Sequence, residues 1–589
     1  MDPAGPASRG RPAHGRGPRR MSERTLLQSW SDRDGAPRHW ATLFPASHWR
    51  EVLPADLFVE VEAAAPVRLM GRRRGRTVCL AIVSDAEPVR VAADEDWLWL
   101  EPEGEMRAVR WSVGAALVPD PITAIVPTIG RIAETRIQVE NFLSSELIDL
   151  VIVIDQMGGI AGDPVLAELS RRNPGRLRLV EQGNFGGSGG YARGMIESFA
   201  RPGNAVLLSD DDARLDPEVL RRMALHMACA RAAGVDEILG TPLLDAEDPQ
   251  TLRIGAEYVR ARDFFWTKAD SLFAPRTTEA DAEGLADALD LVHAPNYAGW
   301  WGCLLPPGAI ARLGAPLPLF LKWDDAEYGL RARDAGYRFT VLPGTGVRHP
   351  RWDTTKTLWS WSGVLSQRNR LAVAAARGAS RGVLASSAAH QLKHILSLQY
   401  AVAESWNEAA RAVAEDSSWF GQDLLSAREW AARVWDRAQG RTKERALALV
   451  PGTPVEAPAD RREHRLRAAA CALGKILPGR RPSAPRSVRE AGAADYAWWD
   501  SLGADAIRIL DHPGAPLVLD PARARRLLVR TVTDHARLAL SWRRRSWEYA
   551  SRARSGSEWE TWAALLGITI PVRDDEERAD SAPRGEARG

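Results

Sequence analysis

Four apolar runs, at 122–127, 150–155, 177–181 and 205–209, alternate with segments of helical period at about 133–143, 163–172 and 191–200. Runs that are apolar throughout are buried on both faces, so the intervening helices must cover a sheet. The alternation predicts a parallel, doubly wound α/β sheet. In such sheets ligands bind beyond the carboxyl ends of the strands. The fourth run ends in Asp210, Asp211 and Asp212, and Asp216-Pro217 then reads as a helix start, with Asp216 at the N-cap and Pro217 in the first turn. Three adjacent carboxylates repel one another. A divalent cation with a preference for oxygen, Mg²⁺ or Mn²⁺, would offset that repulsion. Taken alone, the triplet reads equally well as a solvated acidic turn.

At 589 residues the chain exceeds one hydrophobic core and divides into several domains. A net charge of +2 argues against nucleic acid as a partner, since no basic excess is available to neutralise phosphates. Trp outnumbers Tyr and Phe, at 23 against 8 and 11, a bias that suits sugar faces and membrane interfaces as well as cores. Cys79, Cys229, Cys303 and Cys471 are widely spaced, which predicts neither a disulfide framework nor a cysteine metal site and fits a reducing compartment. No run is long and apolar enough to predict a membrane span, and the first residues do not read as a secretory signal.

The expected organisation is a disordered basic tail at 1–24, a β-rich domain at 25–120, an α/β domain at 121–375 and a helical domain at 376–589. The β-rich domain reads as a small sandwich or barrel, with Trp97 and Trp99 either on a glycan face or in its core. Asn184-Phe185-Gly186-Gly187-Ser188-Gly189-Gly190 reads as a glycine loop whose N–H groups could approach a phosphate, or as a flexible turn. The region 234–300 is less regular, with Glu257 in its midst. Trp300 and Trp301 follow a glycine and are candidates for a sugar platform or for the core. Asp324 and Asp325 sit at a helix start, where a carboxylate could accept a proton from a hydroxyl or simply cap the helix. Farther on, a Pro- and Arg-rich stretch near 450–490 reads as a linker or exposed loop. Trp542-Arg543-Arg544-Arg545-Ser546-Trp547 lies on a helix that could rest on an anionic surface or pack ordinarily.

Thr128-Ile129-Gly130-Arg131, Asp155-Gln156-Met157-Gly158, Asn184 to Gly190, Asp210-Asp211-Asp212, Trp300-Trp301-Gly302, Trp323-Asp324-Asp325 and His349 occur in this order. In order and spacing the set resembles the GT-A family 2 glycosyltransferases, most closely the polymerising galactofuranosyltransferases of mycobacterial cell-wall galactan. The resemblance covers most of the chain from about Leu26. It implies a multidomain α/β protein: a Rossmann-like GT-A catalytic domain between an N-terminal β-sandwich or barrel and a C-terminal helical domain. It implies that Asp210, Asp212 and His349 hold Mn²⁺ or Mg²⁺ against the diphosphate of UDP-galactofuranose. On the donor side it places Arg131, Gln156, Asn184, Gly189, Gly190 and Asp211. Asp325 is then the base of an inverting transfer, and Asp324, Trp300, Trp301 and Glu257 hold the acceptor. It further implies a lipid-linked glycan acceptor, a cytoplasmic enzyme peripheral on the inner face of the cell membrane, and a homo-oligomer. Alternatives are a relative with another donor, such as a rhamnosyltransferase, or a non-catalytic glycan-binding scaffold. A scaffold would be expected to lack a metal ligand or the base, and this sequence has them all.

Overall fold

The computed structural model describes residues 24–570, apart from 34, 86, 273, 352–356, 422–423, 447–460, 478–487, 493–497 and 511–515. The basic tail, except Arg24, and much of the 450–490 stretch lie outside the described residues.

Residues 25–113 form two antiparallel sheets, one of Thr25–Ser31, Met106–Val113, Leu57–Ala63 and Val89–Val91, the other of Arg76–Val83, Val67–Arg73 and Trp97–Pro102. Alternating side chains from both sheets, among them Leu27, Val59, Leu69, Leu100 and Trp111, share one core. Trp97 and Trp99 are 2% and 1% exposed, so they are core residues and not a glycan face. The Trp97 indole donates to Asp290 at 2.6 Å, and that bond ties this sheet to residues beyond the central strands.

The central sheet has seven strands in the order Leu177–Glu181, Ile148–Asp155, Ile122–Thr128, Ala205–Leu208, Cys303–Leu305, Glu237–Gly240 and Arg338–Val341. All its pairings are parallel except the two made by Cys303–Leu305. The sheet is therefore mixed and not wholly parallel as expected. The reason lies in where the exceptional strand enters. Cys303 pairs with Leu208, so the strand begins at the carboxyl end of its neighbour and delivers Trp300 and Trp301 beside Asp210.

The region expected to be irregular is ordered. Leu243–Asp245, Thr251–Ile254 and Arg276–Thr277 join Arg214–Leu215 and Val347–His349 in a five-stranded sheet. Leu215 lies opposite Val347 in that sheet, which brings His349 to the strand end bearing the acidic triplet. From Trp361 the chain is mainly helical, with Trp361–Ala376, Gly382–Leu396, Tyr400–Glu415, Leu424–Ala446 and the long Pro521–Gly556. A left-handed residue, Leu398 at φ 64°, separates the helices Gly382–Leu396 and Tyr400–Glu415. Within the stretch read as a linker, the described residues include a helix, Arg461–Ile476, and a strand, Val488–Ala491. Trp542 is buried and donates to the Ala379 carbonyl at 3.0 Å, whereas Trp547 is 72% exposed.

Candidate active site

Asp210, Asp212 and His349 present ligand atoms that all lie within 4.8 Å of one another. His349 Nε2 is 3.3 Å from Asp212 Oδ1 and 3.7 Å from Asp210 Oδ2. Its Nδ1 donates to the Pro350 carbonyl at 2.7 Å, which turns Nε2 towards the carboxylates. Burial would lower the imidazole, but the hydrogen bonds and charges of Asp210 and Asp212 outweigh it and raise the group to about 10. Burial raises Asp212, yet His349 and Arg131 prevail and hold its carboxyl below the ordinary value. Two carboxylates and one imidazole at this spacing fit a divalent cation, which would replace the proton that His349 otherwise shares with them.

The surroundings orient these ligands. Tyr191 directs its hydroxyl to Asp210 Oδ1 at 2.8 Å and to the Trp300 carbonyl at 3.0 Å. Asp211 is engaged elsewhere, accepting from Thr128 Oγ1 at 2.6 Å and Arg131 Nη1 at 3.1 Å. Burial pushes Asp211 up to about 6. Arg131 also pairs with Asp212. Thr128 belongs to a motif of the family resemblance but has no role assigned from the sequence, and Tyr191, as an ordinary helix residue, carries no local signal.

The glycine run is not a loop. The helix expected from Tyr191 already begins at Gly186 and continues to Ser198. Its glycines permit close packing: a Cβ on Gly190 would lie 2.6 Å from Pro127 Cβ, and one on Gly189 would overlap the Phe185 side chain. Gly189 and Gly190 are buried in this contact. Gln156 Oε1 accepts from Phe185 N at 3.0 Å, and Asn184 Oδ1 accepts from Gly186 N at 3.0 Å, so both polar side chains hold the helix start.

A second acidic centre lies at the start of the helix Asp324–Asp334. Phe320, Lys322 and Trp323 before it have φ of 69°, 72° and 75°, a left-handed conformation that costs non-glycine residues free energy. The turn is held from two sides. Asn369 Nδ2 donates to the carbonyls of Leu319, Leu321 and Lys322 at 3.1, 2.9 and 3.2 Å. Trp323 stacks on Phe264 with ring centroids 5.4 Å apart.

Beyond this turn, Asp325 lines a cavity of about 460 Å³ together with Glu257, Tyr297, Trp301, Trp266 and Lys322. Tyr297 donates to Glu257 Oε2 at 2.9 Å. Burial nevertheless pushes Glu257 up to about 7. Burial, and after it the charge of Asp324, raises Asp325 above its ordinary value. A carboxylate so placed can accept a proton near neutral pH.

Two expected acceptor residues are placed differently. Trp300 is buried between Tyr191 and Tyr328, with centroid distances of 4.8 and 5.7 Å, and does not line the cavity. Asp324 is buried against the glycine helix, accepting from Ser188 Oγ at 3.1 Å, and does not line it either.

Residues 119–374 match the family model described as glycosyltransferase like family 2. The chain is 29% identical over 600 residues to galactofuranosyltransferase GlfT2 of Mycolicibacterium smegmatis, across 93% of this chain and 91% of that protein. It is 30% identical over 424 residues to galactofuranosyltransferase GlfT2 of Mycobacterium tuberculosis, across 66% of each. A shorter match, 29% over 209 residues, to galactofuranosyltransferase GlfT1 of Mycobacterium tuberculosis covers 35% of this chain and 62% of that protein.

Proposed function

We propose, from the premise that this chain is a family 2 glycosyltransferase through residues 119–374, that it transfers galactofuranose from UDP-galactofuranose to a lipid-linked glycan of the cell envelope. The observation that carries the reading is the coexistence of two acidic centres. One is the Asp210–Asp212–His349 group at the strand end, and the other is Asp325 beside Glu257 in a cavity of about 460 Å³. The choice of donor is supported by the likeness to GlfT2 along 91% of that protein.

In this reading Asp210, Asp212 and His349 hold Mn²⁺ or Mg²⁺, which supplies charge neutralisation for the diphosphate when bound. Arg131 and Asp211 border that site on the donor side. Asp325 accepts the proton of the acceptor hydroxyl as its oxygen forms the new bond to the anomeric carbon. The bond from that carbon to the UDP oxygen breaks in the same displacement, with inversion, and UDP leaves with the electron pair. Glu257 and Trp301 position the acceptor sugar. We assign the catalytic unit to about 121–375, between a β-rich unit at 25–120 and a helical unit at 376–589. Among the described residues no helix is long and apolar enough to cross a membrane. We assign the enzyme a peripheral place on the inner membrane face.

The test is UDP release from UDP-galactofuranose with a synthetic galactofuranosyl acceptor, with Mn²⁺ or Mg²⁺, with EDTA, and with Asp325→Asn. Acceptor-dependent release that fails with EDTA and with the variant is the expected result. Turnover only with another nucleotide sugar would replace the donor. Binding of glycan without turnover of any donor would overturn the enzymatic assignment of these residues.

A further inference from the structure

The cavity that holds Asp325 has two walls of opposite chemistry. Its carboxylates are Glu257, on the strand Glu257–Arg260, and Asp325, at the start of the helix Asp324–Asp334. The facing wall is built by helices: Arg370 from Trp361–Ala376, His390 and Lys393 from Gly382–Leu396, and Trp406 from Tyr400–Glu415. Among the described residues no carboxylate forms an ion pair with Arg370 or Lys393. Arg370 is 2% exposed, and its Nε and Nη2 donate to the Phe264 and Asp263 carbonyls and to Ser386 Oγ, all of them neutral. Its Nη1 is buried with no acceptor, as is Trp406 Nε1. The Asp263 carboxylate that acts on this wall is already engaged by Arg260 at 2.9 and 2.6 Å.

Burial lowers Lys393 to about 8, Arg370 to about 10 and His390 to about 4. Near neutral pH the lysine and arginine therefore stay charged while the histidine is neutral. Lys393 has no carboxylate partner among the described residues, and Arg370 has the Asp263 charge only in common with Arg260 and rests on the Phe265 ring at 4.7 Å, so a further anion beside the two desolvated cations is favourable. Free donors on Arg370 and Trp406 beside the lysine ammonium match the acceptor oxygens of a tetrahedral oxyanion. The carboxylates of the opposite wall repel such a group and fix which end of a ligand it occupies. On the strand paired with that of Glu257, Trp266 is 45% exposed and offers an apolar face on which a sugar ring can rest, while the Phe265 ring is stacked on His390 and carries the Arg370 guanidinium at 4.7 Å.

We propose that the helix-side wall of the cavity is an oxyanion subsite, taking a phosphate-type group attached to the glycan whose hydroxyl faces Asp325. This rests on the reading that the cavity receives the acceptor. It makes the preferred acceptor an anionic one, and Lys393 the residue that selects it.

The test uses the full chain and two synthetic galactofuranosyl acceptors that differ only in their aglycone, an octyl glycoside and an octyl phosphodiester. Inorganic phosphate, added with the donor saturating, forms a third arm. The phosphodiester should have a kcat/KM at least about tenfold higher, the increment of one charge-assisted hydrogen bond, carried mainly in KM. The ratio should fall towards one in Lys393→Gln and be retained in Lys393→Arg, a pairing that a merely structural role for Lys393 would not produce. Inorganic phosphate should compete weakly with the phosphodiester and not with the neutral acceptor. A ratio near one in the unaltered protein, with both acceptors turned over, overturns the subsite and leaves galactofuranosyl transfer standing. Phosphate competition with no preference between the acceptors assigns the wall to free phosphate and overturns the proposal. Turnover of neither acceptor overturns the functional reading on which the subsite rests.

Discussion

The two acidic centres are made of the same side chain and behave oppositely. At the strand end, Asp212 is compensated by Arg131 and His349 and keeps its negative charge below its ordinary range. At the helix start, Asp325 and Glu257 are raised by burial, and the neighbouring Asp324 raises Asp325 further. The difference lies in what surrounds each carboxylate. A cation on hand makes a permanent anion, suited to holding a metal. Burial beside another carboxylate makes a group that exchanges a proton near neutrality, suited to activating a hydroxyl.

Removing the proposed base tests this contrast most severely. Asp325→Asn should lower kcat by about 10³-fold, with little change in the divalent concentration needed for half-maximal rate. A loss confined to metal affinity would merge the two centres into one. Lowering the pH from 8 to 6 should cost about tenfold in kcat/KM, because Glu257 passes its midpoint at about 7 and Asp325 is raised in the same direction. A rate profile flat over that range would break the distinction. Tyr191→Phe removes the hydroxyl from Asp210 and should weaken metal affinity about tenfold, read as the Mn²⁺ dependence of the rate, while the acceptor KM stays unchanged. Asn369→Ala strips three carbonyls of their donor and should lower unfolding free energy by about 2 kcal/mol in a urea titration.

The smallest effect is on stability. Glu257 titrates at about 7 in the folded chain against an ordinary 4.5, so between those values the native state holds a proton that the unfolded chain has released. Stability therefore falls as pH rises from about 4.5 to about 7. Glu257→Gln should flatten that fall, measured as the Tm difference between pH 5 and pH 8.

What could be read from the sequence was what is contiguous in the chain. The first four strands, the helix start at Pro217 and the triplet at the strand end all appear where local pattern and strand-end chemistry place them. His349 required the family resemblance, and the strand pairing of Val347 with Leu215 explains how so distant a residue reaches Asp212. The indole pair was only half legible. The pair stands in the turn just before the strand Cys303–Leu305, where the two side chains part: Trp301 reaches the cavity while Trp300 enters the core. The glycine run misled for a physical reason: lack of a Cβ serves a flexible loop and a tightly packed helix equally, and only the nearness of Pro127 tells them apart. Tyr191 and Lys393 left no trace in local pattern, because their meaning comes from partners brought together by the sheet and the helices.

The left-handed turn before Asp324 has a consequence for how this chain can change. Its carbonyls are clasped by a single asparagine and its indole is stacked, so the turn admits a fixed number of residues. One residue inserted after Trp323 would rotate the following helix by about 100° about its axis and carry Asp325 off the cavity wall. Side chains around the turn can drift, but its length is held as rigidly as a reading frame.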